Sequence, residues 1–142
     1  MSELYNKEIL RLTTKIPNQR RLDGPDKTAE RTSRICGSRI TLDVILGEDG
    51  IISDFGWTVK ACALGQATAA IVGNNIVGLT PEALTDVIFQ FKSMVKGGEN
   101  VDWQAYDGGK WVGLELLAPV HDHPGRHGSV LLPFQVLEKI LL

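Results

Sequence analysis

Two cysteines in 142 residues are too few for the disulfide framework that holds small secreted domains together. Neither sign of charge is in excess: 15 Lys and Arg against 17 Asp and Glu give a net charge of -2. A basic footprint for nucleic acid or an anionic membrane is therefore absent, which points to a protein or small molecule as partner. Long apolar runs are missing too. The most apolar stretch, residues 61–79, is interrupted by Gln66, Thr68, Asn74 and Asn75 and is too polar to span a bilayer. No glycine-rich phosphate cradle is present, since Gly47-Glu48-Asp49-Gly50 reads as a hairpin turn. Glu3, Lys7 and Glu8 break up any export signal before it begins. The expectation is a cytoplasmic protein with reduced thiols.

What remains is an ordinary globular composition, 43% hydrophobic and 23% charged, which excludes a disordered chain. The length predicts one domain over residues 1–142, able to bury roughly two thirds of its unfolded surface.

The opening segment reads as a helix, with Ser2 as cap, Tyr5, Ile9, Leu12 and Ile16 as its stripe, and Pro17-Asn18 as its end. Residues 18–34 read as a polar surface connection with a short strand near 28–34. Ile40, Leu42, Val44 and Leu46 then alternate with polar residues, as a half-buried strand does. After the turn at residues 47–50, a return strand over 51–59 is expected to place Ile51, Phe55, Trp57 and Val59 on one face.

A helix rich in small residues follows Cys62, suited to lying close against a sheet, and Gly73-Asn74-Asn75 stops it. Thr80-Pro81-Glu82 marks the next helix start, and Leu84, Val87, Ile88, Phe91 and Val95 continue it to Gly97-Gly98. Residues 99–110 read as a loop-like insert with Trp103 and Tyr106, and 111–117 as a short helix ended by Ala118-Pro119. The last helix begins near Gly128, with Ser129 as cap and Val130, Phe134, Leu137 and Leu141 as its stripe. The order predicts an α+β fold: a small antiparallel sheet of about three strands packed against several helices.

Three places carry chemistry. Cys36 enters the first strong strand and Cys62 leaves its partner, so the hairpin brings the two thiols to one end. Cys62 also opens a helix, where free amides favour a thiolate. The alternative is that both are buried small hydrophobes. The third place is His121-Asp122-His123-Pro124-Gly125-Arg126-His127-Gly128-Ser129, which holds every histidine of the chain and could offer imidazole ligands to zinc or iron. Its plain alternative is a polar turn before a helix. Ser129, His127 and Asp122 are too close in sequence to be oriented as a hydrolase triad. Arg20, Arg21, Arg31, Arg34 and Arg39 read as solvated charges, with protein docking as a weaker alternative.

These residues, in this order, resemble the NifU/IscU/SufU family of iron–sulfur cluster assembly scaffolds, the SufU type most. The resemblance runs from Leu4-Tyr5 to Pro133-Phe134 and includes Asn18 with Leu22, Cys36-Gly37-Ser38-Arg39-Ile40, Ile52-Ser53-Asp54-Phe55 and Ala61-Cys62-Ala63. It closes on residues 119–129, and the 67 positions from Cys62 to Ser129 match the longer SufU-type spacing. The resemblance implies a site of three cysteines and an aspartate, which fall here on Cys36, Cys62, Ser129 and Ser38. Two of the four are therefore serines, and His127 or His123 becomes the substitute ligand, giving Cys36, Cys62 and His127 as the metal set.

As the resemblance implies it, a cysteine desulfurase hands sulfur to a scaffold thiolate, a transient iron–sulfur cluster (or zinc) is held by the cysteines, and apo-proteins receive the cluster. Such proteins are carriers, so no catalytic residue is assigned. The alternative is a family member that has lost the cluster and acts as a metal-free protein-interaction module, which Ser38 and Ser129 motivate. A thiol redox protein using Cys36 and Cys62 is a third reading. The expected partners exclude nucleic acid and membrane, and a homo-oligomer is left open.

Overall fold

The structure is a computed structural model that describes residues 3–34 and 37–142; Met1, Ser2, Ile35 and Cys36 lie outside the described residues. Three strands, β1 (Lys27–Thr32), β2 (Arg39–Leu46) and β3 (Ile52–Lys60), form an antiparallel sheet in that order. In β2 the alternation holds, with Ile40, Leu42 and Val44 fully buried. In β3 the phase slips. Ile45 pairs with Asp54 but Leu46 pairs with Ile52, so one extra residue, Ser53, is accommodated as a bulge. As a result Ile52, not Ile51, is buried with Phe55 and Trp57.

The sheet's other face carries Asp43, and the connection expected to be a surface loop covers it. The Asp43 carboxylate accepts from Arg21 Nε at 2.6 Å, Thr28 Oγ1 at 2.7 Å and the Leu22 amide at 3.0 Å. Its side chain is wholly buried, while that of Arg21 is more than half exposed, so Arg21 is not merely a solvated charge. The Arg21 hydrogen bond above all, with those from Thr28 and Leu22, holds the Asp43 carboxyl at about 2 against the upward push of burial. Nearby, Asn18 takes φ +59, donates from Nδ2 to the Phe55 carbonyl and accepts from the Trp57 amide, which caps the β3 edge. Gly56 permits this close approach, because a Cβ there would lie 2.4 Å from the Arg20 carbonyl oxygen.

Among the described residues, four α-helices pack against the sheet and one another. The first is shorter than expected: a 3₁₀ turn at Glu3–Tyr5 precedes α1 (Lys7–Leu12), whose cap is Asn6, with Oδ1 accepting from the Ile9 amide at 2.9 Å. The hydroxyls of Thr13 and Thr14 bond back to the carbonyls of Leu10 and Arg11, and such bonds compete with continued helix. The helices α2 (Ala63–Gly73) and α3 (Pro81–Val95) start and stop where the sequence signals them, and Thr80 Oγ1 caps α3 by accepting from the Ala83 amide. The last, α4 (His127–Leu141), contacts β1, β2, α2 and α3 and is the centre of the core. Leu131, Leu132 and Val136 are buried along with the expected Val130, Phe134 and Leu137, as befits a helix apolar on nearly every side.

Residues 99–110 are more than a loop. Trp103 is buried and donates from Nε1 to the Met94 sulfur, while the Tyr106 hydroxyl bonds to Asp86. Burial first, then Asp86, pushes the Tyr106 phenol above its ordinary range. The expected short helix is a 3₁₀ run over Val112–Asp122 that tolerates Pro119 within it. The three-stranded antiparallel sheet packed against helices is the α+β architecture expected from the sequence.

Candidate thiol site at one end of the sheet

The ladder between β2 and β3 runs up to Arg39 opposite Lys60, so Ser38 and Cys62 sit one and two residues past its last rung. The β1–β2 connection closes tightly beside them. The Ser33 amide donates to the Ser38 carbonyl at 2.8 Å, and the Gly37 amide donates to the Ser33 carbonyl at 2.9 Å. Gly37 takes φ +69, a conformation that glycine adopts without strain. Ser38 is buried, at 4% exposure. Cys36 belongs to this connection by sequence but lies outside the described residues.

Cys62 is the N-cap residue of α2, half-buried and in extended conformation. Its thiol does not cap the helix. It turns instead to α4, where Cys62 Sγ and Ser129 Oγ share a hydrogen bond of 2.9 Å. Gly65 makes this meeting of helices possible, since a Cβ there would stand 2.9 Å from Ser129 Oγ and 3.1 Å from the Ser129 carbonyl oxygen. The small residues of α2 thus serve a helix–helix contact as well as the sheet, where Gly73 lies against Pro17 and Trp57.

Ser129 does not cap the last helix. The helix starts two residues earlier, with Arg126 in the cap position, and Ser129 is buried in the first turn. Pro133 consequently lies inside the helix, where it cannot donate to the Ser129 carbonyl. The Ser33 side chain reaches this region as well, with Oγ 3.6 Å from the place a Cβ would take at Gly128. Ser38, Cys62 and Ser129, far apart in sequence, therefore gather at one end of the sheet.

The histidines divide in role. His121 Nδ1 donates to the Val95 carbonyl at 3.0 Å, and its ring lies over Gly98, which fastens the end of α3. His127 Nε2 faces the carbonyls of Val120 and His121 at 3.0 and 3.2 Å. Carbonyl oxygens only accept, so Nε2 carries the proton and the lone pair of neutral His127 is on Nδ1. His123 is exposed. Among the described residues, which exclude Cys36, no three His, Cys, Asp or Glu side chains are grouped so as to hold a metal ion.

No family model matches the chain. Its fold superposes on the crystal structure of a nitrogen-fixing NifU-like protein (N-terminal) from Brucella abortus with a TM-score of 0.86 and 30% identity, over 97% of this chain and 92% of that one. The chain belongs to the NifU/IscU/SufU family. A relative from Thermotoga maritima, named iron–sulfur cluster assembly scaffold protein IscU, is 26% identical over 97% of this chain and 92% of its own length. The fold also matches a candidate scaffold protein for the SUF system from Fervidobacterium islandicum, at a TM-score of 0.81 and 22% identity, over 98% of this chain and 97% of that one. Among the described residues, no helix is long and apolar enough to cross a membrane.

Two features of the structure escaped the sequence. The Cys62–Ser129 bond joins side chains 67 positions apart, and no local pattern announces it. The burial of Asp43 is equally silent, because a single acid in an alternating strand has the pattern of a solvent-facing residue.

Proposed function

We propose that this protein is an iron–sulfur cluster assembly scaffold, with iron and sulfide as cargo rather than as resident cofactor. The convergence of Ser38, Cys62 and Ser129 at one end of the sheet carries this reading, because these are positions where the resemblance places the family's ligands. The names borne by the Thermotoga maritima and Fervidobacterium islandicum proteins support it. Cys36 and Cys62 are the thiolate ligands, and one of them accepts sulfur from a cysteine desulfurase before the cluster passes to an apo-protein. His127 is the third ligand through Nδ1. Its Nε2–H bond to the Val120 carbonyl has the form of the outer contact that orients a metal-bound imidazole. The Ser129 hydroxyl is a hard, neutral group that serves as hydrogen-bond partner to Cys62 rather than as a soft ligand. We place the protein in the cytoplasm and read residues 1–142 as a single domain.

The Cys62–Ser129 hydrogen bond also favours a second reading, since it gives the thiol a protein partner in place of a metal. On that reading the chain is a metal-free interaction module with the family fold. Anaerobic reconstitution with iron, sulfide and a cysteine desulfurase, beside metal analysis of the purified protein, separates the two. The scaffold reading predicts a cluster spectrum, or stoichiometric zinc, that disappears in Cys36→Ala and Cys62→Ala and weakens in His127→Ala. A folded wild-type protein that takes up neither metal nor cluster overturns it in favour of the interaction module.

A further inference from the structure

Exposed cations crowd the end of the molecule that carries Cys62. Arg39 and Lys60 face each other across the last rung between β2 and β3 on the outer side of the sheet, whereas Arg31, opposite the buried Ile40, is at the same end on the side that carries the helices. Arg34 is in the β1–β2 connection, whose Ser33 abuts Gly128, and Arg126 immediately precedes α4. All five side chains are exposed. Arg39 has Glu30 at 3.8 Å, whereas among the described residues no carboxylate lies within 4.0 Å of Arg31, Arg34, Lys60 or Arg126. Such a concentration runs against a chain whose net charge is -2. Glu30 is beside Arg39 at this end, while Glu48 and Asp49 lie in the turn at the opposite end of the β2–β3 hairpin.

We propose that this basic end is a docking face for a partner protein that presents an acidic segment, which it brings alongside Cys62. The proposal rests on the scaffold reading for the purpose of the encounter, though the charge pattern stands without it. A nucleic acid is disfavoured because, among the described residues, the exposed large apolar ones, Leu10, Val77, Phe89, Val112 and Leu142, include none on these segments, so none of them is placed to stack on bases. The same lack leaves none of the described residues here to insert into a lipid surface. An acidic polypeptide needs neither, because complementary charge alone steers it in and fixes its register.

The test titrates a fluorescent deca-glutamate peptide into the full chain, into Arg34→Glu/Lys60→Glu, and into Lys15→Glu/Lys110→Glu as a control of equal charge change. Lys15 and Lys110 lie away from the face: the Lys110 carbonyl bonds to Asn75, past the far end of α2 from Cys62. The proposal predicts wild-type binding that weakens as salt rises from about 20 to about 200 mM, a roughly tenfold loss in Arg34→Glu/Lys60→Glu, and a change of less than about twofold in the control. It also predicts that the peptide slows maleimide labelling of Cys62 in a Cys36→Ala background. Equal loss in both double variants, no binding at all, or tighter binding of a short single-stranded DNA at the same residues overturns it. Iron uptake is measured on the same proteins. Uptake that survives in Arg34→Glu/Lys60→Glu while the peptide is lost separates docking from loading. Absence of uptake in the wild type defeats the scaffold reading alone, and the docking face is then decided by the peptide.

Discussion

Asp43 is fully buried yet charged, and its stability depends on neighbours supplied by a segment that sequence patterning assigns to the surface. Its carboxyl sits at about 2 instead of the usual 3.8, held there chiefly by Arg21. A carboxyl lowered in the folded state contributes stability that is complete above the unfolded value and is lost as pH falls through the folded one, here between about 4 and about 2. The shift corresponds to about 2 kcal/mol. Asp43→Asn is therefore predicted to lose about 2 kcal/mol in urea unfolding at neutral pH, with the gap to wild type closing as pH approaches 2. A gap of constant size over that range would contradict this account. Residue-level legibility was uneven for a physical reason. Cys62 and the positions of Ser38 and Ser129 could be read from linear motifs, but the burial of Asp43 is made by Leu22, 21 positions away.

At the scale of elements, the contact between α2 and α4 decides where the thiol points. Gly65→Ala puts a methyl group 2.9 Å from both Ser129 Oγ and the Ala61 methyl, with the Ser129 backbone close behind. We expect about 1–3 kcal/mol of destabilisation and faster labelling of Cys62, as the helices part and the hydrogen bond to Ser129 lengthens. Unchanged stability and labelling would show that the contact is looser than described. Trp103→Ala is predicted to cost about 3–5 kcal/mol in thermal or urea unfolding, since Trp103 pins the insert to Met94. A cost under about 1 kcal/mol would return that segment to the loop its composition suggests. The hairpin, α2 and α3 were legible because their turns and caps are written locally in Gly47, Gly50, Gly73, Thr80 and Pro81. The bulge at Ser53 and the early start of α4 were not, because both follow from packing between distant segments rather than from any local cap.

At the scale of the whole molecule, the sheet and helices bring segments distant in sequence to one end of the fold. The β1–β2 connection, the start of α2 and the first turn of α4 all arrive there, and the exposed cations surround them. The fold class and the family could be read from the order of motifs along the chain. The ligand set that the resemblance implies could not, because two of its positions hold serine. The central claim is that this end loads iron and sulfide through its thiols. It is tested most directly by iron and sulfide stoichiometry after anaerobic reconstitution of the wild type and of Cys36→Ala/Cys62→Ala, with folding of both checked by circular dichroism. The account predicts stoichiometric, thiol-dependent loading of the wild type and none of the double variant. Equal loading of the two, or no loading of a folded wild type, would contradict it.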